Sequence, residues 1–152
     1  QMVDAYEQVG GNLAAVMDVP LADTLRYGIL DVVSDDGRLA RARGLVEKPK
    51  PEDAPSTLSI IGRYIIDPAV FEELNRREKG AGGEIQLTDA IAAEIEHGGS
   101  VHGLCLRGER FDCGSKRGYL KATVALALER ADVGGDLRKF ILGRVTEKMA
   151  AE

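Results

Sequence analysis

Gly44-Leu45-Val46-Glu47-Lys48-Pro49-Lys50 is an apolar strand end followed by a carboxylate, an ammonium and a proline. Pro49 has no N–H for a sheet ladder and fixes its own φ, so the strand stops there. It also biases Lys48 toward extended backbone, where neighbouring side chains point to opposite faces. Glu47 and Lys48 are therefore expected to serve two different groups rather than each other. A carboxylate accepts from two vicinal hydroxyls, as a sugar offers them, and an ammonium holds a phosphate as a point charge. Together they suit a sugar phosphate. A solvated Glu–Lys pair at a strand exit is the competing reading, since charged residues mostly lie at the surface.

Working outward, Tyr27 to Val33 reads as a strand, Asp35-Asp36-Gly37 as a turn, and Leu39 to Val46 as the returning partner. This hairpin ends on Glu47-Lys48. Pro49 to Thr57 carries three prolines and reads as a loop. Leu58 to Ile66 is a further strand, with Gly62 as a bulge or a close approach to a ligand. Before the hairpin, Met2, Val3, Tyr6 and Val9 recur at helical spacing and Gly10-Gly11 closes the helix. The apolar run Leu13 to Val19 has the composition of a strand buried on both faces. A helix leading into such a strand suggests a βαβ unit lacking its first strand.

After the hairpin, Asp67-Pro68 opens a helix with Val70, Phe71 and Leu74 on its apolar side. Lys79 to Gly83 is a glycine-rich loop. Glu84 to His97 carries a stripe of Ile85, Leu87, Ile91 and Ile95, with Thr88 as the expected cap of its regular part. Val101 to Leu106 reads as a strand and Phe111-Asp112-Cys113 as a short one. Helices follow from Lys116 to about Arg130, and from an Asp136 cap to about Met149 with Leu137, Phe140, Ile141 and Val145 on one side. Alternating strands and helices imply an α/β fold with a mixed sheet. At 152 residues the chain is expected to form a single domain, 1–152.

Composition removes several function classes. The net charge of −5 disfavours a nucleic-acid backbone as partner. No apolar run approaches the ~18 residues of a membrane span. The two cysteines, Cys105 and Cys113, form neither a disulfide framework nor a CxxC metal knuckle, which fits a reducing cytoplasm. There is no GxGxxG, no P-loop and no Ser/His/Asp arrangement. His97 and His102 read as structural or solvated, and Cys113 as a buried small thiol. Asp112, at a strand end before Gly114-Ser115 and a helix, is either a magnesium ligand completed by phosphate oxygens or the acceptor of the following turn. Tyr27-Gly28 either presents backbone or a hydroxyl to a ligand, or is a core tyrosine beside a turn glycine. The acids of Glu84 to Asp89 suit a helix N-terminus, and Gln86 or Asp89 could also hold a neighbouring loop.

Several stretches occur together and in order: Tyr27-Gly28, Val46-Glu47-Lys48-Pro49-Lys50, Ile61-Gly62-Arg63-Tyr64, Gly83-Glu84-Ile85-Gln86-Leu87-Thr88-Asp89-Ala90-Ile91, and Phe111-Asp112-Cys113-Gly114-Ser115-Lys116-Arg117-Gly118-Tyr119. In these the chain resembles the sugar-phosphate nucleotidylyltransferases along its whole length. The Asp-Cys-Gly form followed by Gly-Tyr is similar to the uridylyl branch, in its C-terminal half. The resemblance implies a Rossmann-like nucleotidyltransferase sheet flanked by helices, with the nucleotide-binding half absent. It implies transfer from UTP to glucose 1-phosphate, giving UDP-glucose and pyrophosphate, with Mg2+ as cofactor and a homo-oligomer as assembly. By the same resemblance Glu47 holds glucose hydroxyls and Lys48 the phosphate. Tyr27, Gly28 and Ile61 belong to the substrate site, and Asp112 is one of two aspartates around the metal. The glycine-rich triphosphate loop and the first metal aspartate of that family are not in this sequence. With Gln1 at its start, the chain is thus expected to be a proteolytic remnant or truncated product, inactive alone and self-associating through uncovered parallel-sheet edges. Thymidylyl or adenylyl transfer, or a non-catalytic sugar-phosphate-binding domain, are the alternatives.

Overall fold

Residues 12–16 are buried without alternation, which places strand β1 (Asn12–Asp18) inside the protein rather than on its surface. A computed structural model describes residues 1–80 and 83–149. Of the expected loop Lys79 to Gly83, Ala81 and Gly82 lie outside the described residues. The chain divides into two compact units, Gln1–Arg107 and Gly108–Glu152.

The first unit is a ring of five strands in the order β1, β4, β2, β3, β5. Strands β2 (Gly28–Asp35) and β3 (Leu39–Glu47) form the expected hairpin, in register from Gly28 opposite Glu47 to Asp35 opposite Ala40. Its turn is held by side chains: Asp35 Oδ1 accepts from Gly37 N, and Asp36 Oδ1 from Arg38 N and Leu39 N. Those two amides hold the Asp36 carboxyl below its ordinary pKa. Strand β4 (Leu58–Ile65) runs antiparallel to β1 and meets β2 at Ile29 and Ser59. Strand β5 (Val101–Cys105) pairs antiparallel with β3 and parallel with β1. The sheet is therefore mixed, as expected. Among the described residues each strand of the ring has a neighbour on both sides, in place of the expected uncovered parallel-sheet edges, with β2 and β4 joined at the single pair Ile29 and Ser59. Between Ile60 and Tyr64, β4 falls out of step with β1, and Gly62 sits in this bulge at φ 82° with open space beside it. A left-handed φ is what glycine tolerates at a bulge.

Helix α1 (Met2–Val9) buries Ala5 against Leu13 and Leu104, with Met2 and Val9 alongside. The expected stripe was displaced: Val3 and Tyr6 face outward. A three-residue step from Met2 to Ala5 fits the sheet, and alanine lets helix and strand approach. Gln1 joins the end of β5, donating from Nε2 to Arg107 O and accepting at Oε1 from Arg107 N, each at 2.9 Å. Helices α2 (Ala69–Asn75) and α3 (Leu87–Glu96) supply Val70 and Ile91 to the main core with Val16, Leu30, Ile60 and Val101. Burying each such side chain contributes about 1.5–3 kcal/mol. Helix α2 starts at Ala69 with Pro68, not the expected Asp67, before it, and Asp67 Oδ1 accepts from Ala69 N at 3.0 Å. Thr88 does not cap α3: the helix starts at Leu87 with Gln86 before it. Ile85 is exposed.

The second unit contains α4 (Lys116–Glu129) and α5 (Gly134–Met149), which pack on each other. Ser115 caps α4 by accepting from Gly118 N at 3.1 Å. The expected strand Phe111-Asp112-Cys113 does not form, and Cys113 is exposed rather than buried. Asp136 lies inside the first turn of α5 instead of capping it. Of the α5 stripe, Phe140 and Val145 are exposed, and Leu137 and Ile141 are half-buried. No described helix is long and apolar enough to cross a membrane.

Candidate functional site

The hairpin delivers Glu47 and Lys48 where its register ends, opposite Gly28. Lys48 N donates to Tyr27 O at 3.0 Å, and the buried Thr24 hydroxyl is shared between Leu21 O and Pro49 O. These bonds fix the backbone on both sides of the lysine. Contrary to the extended conformation expected before a proline, Lys48 sits at φ 47°. A non-glycine residue there stores about 1–3 kcal/mol of strain, a cost found mostly at functional positions. The turn brings the two charges together rather than parting them: Lys48 Nζ lies 3.4 Å from Glu47 Oε1. The lysine side chain is 51% exposed and the glutamate only 11%. The ammonium is thus available to solvent while the carboxylate is held in the wall.

What holds it there comes from α3. Thr88 Oγ1 donates to Glu47 Oε2 at 2.8 Å. Gly28 makes room for this contact, since a Cβ on it would lie 2.6 Å from Thr88 Cγ2 and 3.1 Å from Glu47 Oε2. Burial first, and then the Glu47 charge, raise the Asp89 carboxyl and the Tyr64 hydroxyl above their ordinary pKa values. Asp89 also packs on Gly80, in the loop beside it, as the loop-holding reading has it. The site is therefore a carboxylate among acidic neighbours, with one buried hydroxyl and one exposed ammonium as donors.

Tyr27 is half-buried, with the Arg26 guanidinium 5.7 Å from its ring centre. Ile61 is half-buried on β4 just before the Gly62 bulge. Glu47, Lys48, Gly28 and Tyr27 are brought together; Thr88, Asp89 and Tyr64 join them and had not been singled out for it. The signal for Thr88 and Asp89 was the polar front of α3, and for Tyr64 the motif Ile61-Gly62-Arg63-Tyr64.

Asp112 belongs to the second unit, and its Oδ1 accepts from Gly114 N at 3.1 Å. Its carbonyl accepts from Ser115 N and Ser115 Oγ. The turn-satisfying role is thus present. Gly118 must be glycine, because a Cβ there would strike the Asp112 carbonyl. No cluster of three or more potential metal ligands occurs among the described residues. What Asp112 offers is one hard carboxylate, a fit for one ligand position of a magnesium ion whose other oxygens come from phosphate and water. His97 is exposed at the end of α3, its Nδ1 3.3 Å from Glu73 Oε1. His102 Nδ1 is buried with no hydrogen-bond partner among the described residues, and burial, then Arg41, push its pKa down.

The family profile described as nucleotidyl transferase matches residues 1–129. A UTP–glucose-1-phosphate uridylyltransferase of Komagataeibacter xylinus is 56% identical over 116 residues, covering 76% of this chain and 40% of the relative. One from Staphylococcus epidermidis is 41% identical over 141 residues, covering 93% and 49%. A crystal structure of UDP-glucose pyrophosphorylase with UDP-glucose superposes at TM-score 0.78 and 35% identity, covering 86% of this chain and 49% of that one. The UTP-bound enzyme from Acinetobacter baumannii superposes at TM-score 0.79 and 36% identity, covering 93% and 48%. The chain spans about half the length of the relatives it matches.

Proposed function

The chain belongs to the nucleotidyl transferase family, and from that premise we propose that it forms the sugar-phosphate half of a UTP–glucose-1-phosphate uridylyltransferase. The observation that carries this reading is the pairing of a wall-held carboxylate, Glu47, with an exposed ammonium, Lys48, at one strand end. The names of the relatives supply the substrate classes.

In this reading Glu47 accepts from the glucose hydroxyls and orients the ring. Lys48 leaves Glu47 and binds the phosphate of glucose 1-phosphate. At ~4 Å and an effective dielectric of ~20, such a pair is worth about 4 kcal/mol before desolvation. Tyr27, Gly28 and Ile61 line the sugar. The phosphate oxygen then attacks the α-phosphorus of UTP, a P–O bond forms, and pyrophosphate departs with the electrons of the bond that breaks. The protein's part is positioning and charge neutralisation, with no covalent intermediate on the chain. Mg2+ held in part by Asp112 would neutralise phosphate charge. A cytoplasmic location and a homo-oligomeric assembly complete the proposal. By itself the 152-residue chain is expected to be inactive.

The test uses the longest open reading frame containing these residues, assayed for UDP-glucose formation with UTP, glucose 1-phosphate and Mg2+. Lys48→Ala is expected to lower kcat/KM by about a hundredfold or more, the scale of a lost charge contact. Lys50→Ala should stay within about threefold, as for an exposed charge. Equal losses would overturn the assignment of Lys48. A preference for dTTP or ATP would move the reading to the thymidylyl or adenylyl branch. Glucose 1-phosphate binding without turnover would leave a binding domain.

A further inference from the structure

The donors to Glu47 are unequal. Lys48 Nζ, at 3.4 Å from Oε1, is half exposed and is the group the sugar phosphate would take away. Thr88 Oγ1, at 2.8 Å from Oε2, belongs to a residue 5% exposed. The other ionisable groups affected by Glu47, Asp89 and Tyr64, acquire negative charge on ionisation and give it no compensation. Once Lys48 turns to a phosphate, Thr88 is the side-chain donor that remains on this carboxylate among the described residues.

The surroundings fit a fixed bond rather than a passing one. Thr88 lies in the first turn of α3, which packs across the end of β3. Its methyl fills the notch that Gly28 leaves open, and so its hydroxyl is turned onto Glu47. A threonine has a stiff χ1, and here both branches are occupied. With Oε2 held, Oε1 is the oxygen left to receive hydroxyls.

We propose that Thr88 is a positioning residue: its hydroxyl anchors Glu47 Oε2 so that Oε1 meets the sugar. The proposal rests on the sugar-phosphate reading of the site. Its test compares Thr88→Val and Thr88→Ser in the same full reading frame, with Thr88→Ala in reserve should valine prevent folding. Thr88→Val is expected to raise KM for glucose 1-phosphate about tenfold or more, the scale of a lost hydrogen bond to a charged group. KM for UTP should change less than about twofold, and Thr88→Ser should remain within about threefold of the parent, because each retains the part that matters to it. An unchanged KM for glucose 1-phosphate in Thr88→Val, or a serine variant as poor as valine, would overturn the proposal. Crystal structures of the same variants decide it without turnover. Glu47 should be displaced in Thr88→Val and in place in Thr88→Ser, and an undisturbed Glu47 in Thr88→Val refutes it. A parent protein that ignores glucose 1-phosphate would instead sink the sugar-phosphate reading, with the crystal structures still deciding whether Thr88 holds Glu47.

Discussion

The two units bury their apolar side chains to opposite extents. In the first, Leu13, Leu30, Ile29, Ile91 and Leu104 are each at most 1% exposed. In the second, Ala122 is the buried apolar side chain among the described residues, while Tyr119, Leu120, Leu126, Phe140 and Leu142 are each at least 58% exposed. A ring of strands surrounds its own core, whereas two helices can bury only the seam between them. The apolar content of α4 and α5 is thus far greater than a helix pair can use.

This contrast is open to direct attack. Ile91→Ala should lower the unfolding free energy by about 3 kcal/mol, by lost burial and an unfilled cavity. Phe140→Ala should change it by no more than about 0.5 kcal/mol, as for an exposed site. Urea unfolding of both variants checks this, and a loss of 2–3 kcal/mol for Phe140→Ala, on the same scale, would show that the helix face is covered in solution. Glycines repeat the comparison at smaller size. A Cβ on Gly103 would lie 2.6 Å from Leu30 Cδ2, so Gly103→Ala should destabilise by about 1–3 kcal/mol. Gly143, within α5, has open space around it, and Gly143→Ala should stabilise by about 0.5–1 kcal/mol. Thermal unfolding would read both.

The smallest effects lie in the pH dependence and have opposite signs. Asp89 is raised above 3.8, by burial first and then by Glu47. The folded state keeps this proton longer than the unfolded one, so stability falls as pH rises from about 3.8 through the raised pKa. Asp89→Asn should flatten that fall. Asp132 is lowered below 3.8, first by its hydrogen bond to Arg130. Its contribution is complete above 3.8 and fades as pH falls through the folded pKa. Asp132→Asn should lower Tm at neutral pH and leave it unchanged in acid. Tm measured against pH for the two variants tests both signs.

The hairpin was legible because three local signals agree: a strand-like stretch on either side, Asp35-Asp36-Gly37 between them, and Pro49 as a stop. Strand β1 was legible from an apolar run, Leu13 to Val19, broken only by Asp18. The stripe of α1 was misread because Ala5 carries little apolar weight in a pattern, although its size is what allows close packing. Phe111-Asp112-Cys113 looked like a strand from composition, but its backbone is committed to the turn that Asp112 and Ser115 build. At the site, the residue types of Glu47 and Lys48 were readable. Their conformation was not: the preference imposed by Pro49 gave way to bonds from Thr24 and Tyr27, residues distant in sequence. Thr88 reads as a cap from the sequence, and its contact with Glu47 was not legible for the same reason, since it depends on Gly28 in a strand distant along the chain.

Closing the ring has a temporal consequence. The hairpin between β2 and β3 is local and can form early, but Asn12 must wait for Val101 to obtain its parallel partner. Contacts so remote in sequence make for slow assembly, because the intervening polypeptide must be ordered before they reward it. During synthesis on the ribosome β1 therefore stays without this neighbour until β5 emerges, an interval in which an apolar strand is open to mispairing.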